Sequence, residues 1–180
     1  MDQPRIFHIA DDQVDARLDA RLRELLCACF TQPQDAVFRA RRFFIQPPGH
    51  RWCLEDGATG ILGAHVAVHD RLLKSGERRF PLAGIAEVCV RPAFRGRGWA
   101  RLLLREAHAF MAARGAAFAM LFGRAEVYRS SGYVPVDNPL RFFNHLTQAW
   151  RTEVKQGAMA RPLSDLAWPS GELDLGGPVF

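Results

Sequence analysis

The sequence predicts an α+β domain of the three-layer α/β type, with a central, mostly antiparallel sheet flanked by helices. Three stretches carry that prediction. Residues 51–90 hold three strand-like runs separated by short turn signals, which suits antiparallel neighbours. A helical apolar pattern starts at Gly98. The run Ala116 to Phe122 (AAFAMLF) is short and wholly apolar, like a central strand buried on both faces.

The elements follow in order. Arg5 to Ala10 (RIFHIA) reads as a short strand. Asp11-Asp12 then offers an N-cap to a helix whose apolar positions are Val14, Leu18, Leu22, Leu25 and Leu26. A second, weaker helix covers Asp35 to Phe44 and is broken by Gln46-Pro47-Pro48-Gly49. Strand-like runs cover Arg51 to Glu55, Gly60 to Leu73 and Phe80 to Val90. Asp56-Gly57 and Lys74-Ser75-Gly76-Glu77 mark the turns between them. After Gly98, Leu103, Leu104, Ala107, Phe110 and Met111 make one apolar helical face, with Arg101, Arg105 and His108 on the other side and Gly115 as a stop. A short helix over Arg124 to Ser130 ends at Gly132, and Tyr133 to Val136 starts a strand. Val154 to Leu163 holds a last strand, and the tail from Trp168 to Phe180 is turn-rich.

Length and composition set bounds. The 180 residues suit one domain, 1–180, with 48% hydrophobic and 24% charged residues, as in a soluble globular protein. No apolar run is long enough to cross a membrane, and the N-terminus shows no secretory pattern, so a cytoplasmic location is expected. Cys27, Cys29, Cys53 and Cys89 form no C-x-x-C pair and read as buried reduced thiols, so zinc is not expected. His65 and His69 lie on one strand about 13 Å apart, too far to share a metal. They read as satisfied or exposed histidines, and no metal site is expected. The net charge of +5, almost all arginine, suits an anionic partner: nucleic acid, a phosphorylated small molecule, or none.

The stretch Val90 to Leu104 (VRPAFRGRGWARLLL) joins a strand to a helix. Helix starts leave backbone N–H groups unpaired, and the helix dipole favours an anion there. Glycines let successive amides converge, and Arg95 and Arg97 add positive charge. The stretch therefore reads as a phosphate cradle, although an ordinary strand-to-helix turn would use the same glycines. It is neither a G-x-x-x-x-G-K-[ST] nor a G-x-G-x-x-G loop.

Arg95-x-x-Gly98-x-Ala100, after Val88-x-Val90-x-Pro92, resembles the acetyl-CoA signature of the GNAT acetyltransferase superfamily, R/Q-x-x-G-x-G/A. Ala125-x-x-Tyr128-x-x-x-Gly132-Tyr133 resembles a further family segment, with Tyr one position early relative to Ala. The resemblance covers Arg51 to Val136 well and the N-terminal helices more loosely. It implies the GNAT acyl-CoA N-acyltransferase fold: a mixed, mostly antiparallel central sheet flanked by helices, with a parallel pair where the acyl-CoA enters. It implies acetyl-CoA as cosubstrate and no other cofactor. It places the pyrophosphate on Arg95, Gly96, Arg97, Gly98, Trp99 and Ala100, with Trp99 packing under the helix. It places the pantetheine arm along Val88, Cys89 and Val90.

Two residues are catalytic candidates. Tyr128 would protonate the leaving thiolate, since a phenol of pKa about 10 can protonate a thiolate whose acid lies near 8.5. A Tyr packing at a helix end is the other reading. Glu87 is the only carboxylate in the apolar strand IAEVCV, where burial should raise its pKa. It would anchor the acceptor's ammonium or take its proton, or it is structural. Spermidine-type members carry two adjacent acidic residues here, but Ala86 occupies the first position.

The tail, with Arg71-Leu72-Leu73, faintly resembles aminoglycoside 2'-N-acetyltransferases and nodulation N-acyltransferases. Trp168, Glu172, Asp174 and Phe180 would suit a cationic, sugar-like acceptor. The expected activity is N-acetyl transfer to a small-molecule primary amine. The alternatives are a non-catalytic acyl-CoA sensor or transfer of a longer acyl group. A nucleic-acid partner lacks a recognisable module and a basic stripe, and no membrane partner is expected. A homodimer is common in the superfamily and stays open.

Overall fold

The first strand, β1 (Arg5–Ala10), forms where the alternation predicts it and pairs antiparallel with β2 (His50–Glu55), in register from Arg5↔Glu55 to Ala10↔His50. The structure, a computed structural model, describes residues 3–180. It divides into one unit running up to His69 and including Ala86–Ala107, and a second made of Asp70–Ile85 and His108–Phe180.

In the first unit, β2 continues antiparallel onto β3 (Leu62–Ser75), so Cys53 faces His65. Helix α1 (Ala16–Cys29) follows the predicted apolar spacing and buries Leu22, Leu25 and Leu26. Its N-cap is Asp15, whose carboxylate accepts from the Leu18 amide at 2.7 Å, not the expected Asp11-Asp12 pair. Those two residues open a 3₁₀ turn, Asp11–Gln13, and Asp11 is buried against arginines. The helix expected over Asp35 to Phe44 is a 3₁₀ turn, Pro33–Arg39, closed by reciprocal Gln32 and Asp35 contacts. Beyond it the chain cannot stay helical. The Arg42 carbonyl accepts from Arg51 and the Phe44 amide donates to Glu87, which takes two backbone groups out of any helix. The α1 leucines pack with Phe38, Cys53, Leu62 and Cys89, each fully buried leucine contributing about 2 kcal/mol. Strand β4 (Arg78–Val90) ends in this unit, and α2 (Trp99–Ala113) begins in it.

The second unit is the longer sheet. Its further strands are β5 (Phe118–Phe122), β6 (Val134–Pro135), β7 (Pro139–Asn144), β8 (Ala149–Val154), β9 (Ala158–Pro162) and β10 (Leu173–Asp174). The order is β6-β9-β5-β4-β3-β10-β7-β8. The apolar run AAFAMLF lies where its composition requires. Strand β5 pairs parallel with β4 on one side and antiparallel with β9 on the other, which leaves no free edge, and Phe118 to Leu121 are buried on both faces. The predicted parallel pair is thus present, and its register ends at Gly84↔Met120. Strand β10 pairs parallel with β7, and the other pairings named are antiparallel. The result is the mixed, mostly antiparallel α+β sheet that the sequence predicts.

Three differences stand out here. The single strand expected over Val154 to Leu163 is β9 alone, and Val154 closes β8. Strands β7 and β8 form a hairpin over residues 139–154, where the sequence reading assigns no element before Val154. His108 is buried on the packed face of α2, because it lies i+4 from Leu104, and its Nε2 is 2.7 Å from the Tyr133 hydroxyl. The tail closes the sheet: Trp168 packs edge-on against Phe118, and a Cβ at Gly84 would fall 2.7 Å from the Phe180 ring.

Candidate active site

The strand-to-helix loop sits in the first unit. Gly96 and Gly98 have φ of 79° and 75°, left-handed conformations that glycine adopts at no steric cost. Arg97 between them is not left-handed, so φ alternates in sign. That alternation turns successive N–H groups into one concave anion-binding nest. A Cβ at Gly96 would meet open space, so the concavity is accessible. Helix α2 starts directly after it with no acidic residue in its first turn, leaving the positive end of the dipole uncancelled. The arginines flank the loop without filling it. Arg95 Nε donates to the Val90 carbonyl at 3.2 Å, and Arg97 lies over the Phe94 and Trp99 rings. Trp99 is buried, stacks on Phe94 at 4.7 Å between centroids, and covers Gly63, where a Cβ would lie 2.3 Å from its ring. The sequence places Trp99 under the helix, and this packing accounts for that placement.

Glu87 lies three residues before the end of β4, in the same unit. Its φ of 51° is left-handed, which kinks the strand there and costs a non-glycine residue about 1 to 2 kcal/mol. Its side chain is 6% exposed. One carboxyl oxygen accepts from the Phe44 amide at 2.8 Å, the other from Arg51 Nη1 at 3.3 Å. Arg51 is wholly buried. It also donates to Asp11 through Nε and to the Arg42 carbonyl through Nη2. Arg42 in turn pairs with Asp11 and Asp19.

The distribution of the arginines explains the electrostatics. Asp11 is held below the usual carboxylate range by Arg42 and Arg51, and Asp19 by Arg42 and Arg23, each against its own desolvation. Glu87 pairs with Arg51 at 3.3 Å and shares that guanidinium with Asp11. Burial therefore outweighs Arg51 and the Phe44 hydrogen bond, and pushes Glu87 up to about 7. The sequence predicts this direction.

His65 completes the group. Its Nε2 lies 3.0 Å from Arg51 Nη1, and a guanidinium can only donate, so Nε2 is the acceptor. The proton is then on Nδ1, which donates to the Glu87 carbonyl at 3.1 Å. Burial and the adjacent Arg51 charge push the imidazole down to about 3, so it is neutral. His65 is thus a buried histidine with both ring nitrogens satisfied, one of them by the Glu87 backbone. Among the described residues no cluster of His, Cys, Asp and Glu could hold a metal ion.

Tyr128 belongs to the second unit. It closes α3 (Ala125–Tyr128), which runs into a 3₁₀ turn, Arg129–Ser131, and the left-handed Gly132 (φ 84°). Its ring lies on Gly123, where a Cβ would be 2.4 Å away, and edge-on to Tyr133 at 6.2 Å. Tyr133 is completely buried, and desolvation pushes its phenol far above the usual range. Tyr128 is half-buried, so of these two tyrosines it alone has partial access to solvent.

Thus Glu87, Val88, Cys89, Val90 and the loop Arg95–Ala100 share one unit, and Tyr128 lies in the other. Of the tail residues, Trp168 donates to Asn138, Asp174 pairs with Arg141, and Phe180 packs on Phe122. Glu172 is exposed. The residues that sequence reasoning missed are Arg51, Asp11 and Arg42. The available signal was a lone arginine beside the apolar run WCL in a strand, which cannot be buried without carboxylates.

Residues 18–136 match a family described as an acetyltransferase (GNAT) domain. No curated protein matches the chain. Among solved structures, the fold is similar to a GNAT family N-acetyltransferase (YhbS) from Escherichia coli in complex with CoA. The TM-score is 0.69 at 17% identity, over 97% of this chain and 91% of that one. It is similar also to a GNAT family acetyltransferase from Brucella melitensis in complex with acetyl-CoA, with TM-score 0.62 and 19% identity over 94% of both chains. A third is the ribosomal-protein-S18-alanine N-acetyltransferase of Escherichia coli, with TM-score 0.56 and 15% identity over 91% of this chain and 97% of that one.

Proposed function

The chain belongs to the GNAT acetyltransferase family, an acyltransferase family, and from that premise we propose that it moves an acetyl group from acetyl-CoA to a primary amine of a small molecule. The observation that carries this reading is the nest of Gly96, Arg97 and Gly98 opening onto the start of α2. Its open, cationic, glycine-lined amides fit a pyrophosphate. The backbone of Val88 to Val90 would run beside the pantetheine arm. The reading takes residues 1–180 as one domain.

The thioester supplies an activated acyl carbon. The amine nitrogen attacks that carbon directly, a C–N bond forms and the C–S bond breaks. Tyr128 gives its phenolic proton to the departing thiolate as the C–S bond breaks, a transfer uphill by about 1.5 pK units between the free groups and small enough for general-acid catalysis. Glu87 takes the proton the amine loses, directly or through one water. At about 7 its carboxyl is part ionised near neutrality, so it can attract an ammonium and then accept a proton. His65 and the Phe44 amide hold it in place. Solvent restores both groups.

The test is a thiol-release assay with acetyl-CoA and a panel of amines, using wild type and Tyr128→Phe. The reading expects turnover with at least one primary amine. It expects the variant to lose about 10²- to 10⁴-fold in kcat with acetyl-CoA binding kept. Unchanged kcat in Tyr128→Phe removes the proposed acid.

A further inference from the structure

We propose that β8 is the seam of a homodimer, in which two copies pair their β8 strands antiparallel about a two-fold axis at Thr152. This surface is independent of the acetyl-transfer reading. Strand β8 ends the sheet order of its unit, so its outer backbone edge has no neighbouring strand there. Residues 150–154 are all exposed. Trp150 is 46% exposed, Val154 58%, and Leu146 in the turn before β8 81%, which gathers three large exposed apolar side chains on one hairpin.

The order of residues commits the occupant to a second copy. With Thr152 on the axis, Trp150 opposes Val154 of the other copy, and Arg151 opposes its Glu153. Each pair then occurs twice. The pairs also sort by face. Trp150 and Val154 stand opposite Phe143 and Pro139 of β7, whereas Arg151 and Glu153 stand opposite Phe142 and Leu140. Trp150 is already braced by Phe143, edge-on at 5.8 Å, and by Arg141, 4.2 Å over its ring. One face of the seam is therefore an aromatic–aliphatic strip, and the other carries two ion pairs. Both are favourable cross-strand pairs.

The register is unique among even slips. A slip one way places Arg151 opposite Arg151, and a slip the other way places Glu153 opposite Glu153. Charges can also blunt an edge and keep copies apart. Charges set for that purpose repel in self-pairing, and these attract. A single strand seam is a small interface, so a dissociation constant in the micromolar range is expected.

The experiment is sedimentation equilibrium of the full chain between about 1 and about 500 µM, the range of a small interface. Dimerisation of wild type is expected. Arg151→Glu alone or Glu153→Arg alone should raise the dissociation constant about 30-fold, because two attractive pairs become repulsive. The double variant Arg151→Glu/Glu153→Arg should recover it. These side chains are exposed, and circular dichroism confirms that each variant folds. As a second readout, oxidation of Thr152→Cys should join two copies, since residues facing across the axis have Cα atoms about 4.5 to 5.5 Å apart. Glu153→Cys should not cross-link above wild type. A wild type that stays monomeric throughout overturns the proposal. So do single variants that dimerise like wild type, a double variant that fails to recover, or equal cross-linking at positions 152 and 153.

Discussion

Replacing Glu87 with Gln removes a buried carboxylate whose guanidinium partner, Arg51, is shared with Asp11. The folded carboxyl titrates at about 7 and its ordinary value is 4.5. Between those values the folded chain holds a proton that the unfolded chain has released, so wild-type stability falls as pH rises through this window. The shift corresponds to about 3 kcal/mol in full, of which roughly 2 to 3 kcal/mol lies between pH 5 and pH 8. Glutamine cannot titrate, so the variant lacks this loss. It keeps an oxygen for the Phe44 amide, but its NH2 then faces Arg51, a penalty of about 1 kcal/mol that does not depend on pH. His65 slopes the other way. Its depressed pKa of about 3 makes stability rise from about pH 3 to 6.5, in wild type and variant alike, and the difference cancels it. The assay is urea unfolding of both proteins at pH 5, 6, 7 and 8, followed by tryptophan fluorescence. The stability of Glu87→Gln relative to wild type should improve by about 2 to 3 kcal/mol from pH 5 to 8. A flat difference across that range, or one that worsens, refutes the raised titration of the buried Glu87 carboxyl.

Three other outcomes follow from the same geometry. Arg51→Met leaves Asp11 and Glu87 buried without their guanidinium, and should cost about 3 to 5 kcal/mol in the same unfolding assay at pH 7. Gly63→Ala drives a methyl to within 2.3 Å of the Trp99 ring, and should lower stability by about 1 to 3 kcal/mol while displacing the loop that Trp99 anchors. Gly98→Ala forces a side chain onto φ 75° beside the nest, and should raise the KM for acetyl-CoA by about 10-fold with little change in kcat.

Legibility in the sequence followed the physics of each segment. Helices α1 and α2 were legible because burial on one face imposes a 3.6-residue period, as at Leu22, Leu25 and Leu26. Strand β5 was legible because burial on both faces makes every residue apolar. Strand β8 was not, because residues 150–154 are all exposed and carry no alternation in burial. The helix predicted over Asp35 to Phe44 failed for a long-range reason. Backbone groups of Arg42 and Phe44 serve Arg51 and Glu87, and local periodicity holds no trace of that. Glu87 itself was readable as an isolated carboxylate in an apolar strand. Its partners were not, since Asp11, Arg42 and Arg51 come together only through pairing of β1 with β2 and the loop before it.

The most direct test of the central claim is calorimetric titration with acetyl-CoA, beside dephospho-CoA and ATP. The account predicts micromolar binding of acetyl-CoA, about −8 kcal/mol, tighter than either comparator and weakened by Gly98→Ala. No binding to any of the three would contradict it, and would leave Gly96 and Gly98 as the geometry of a turn.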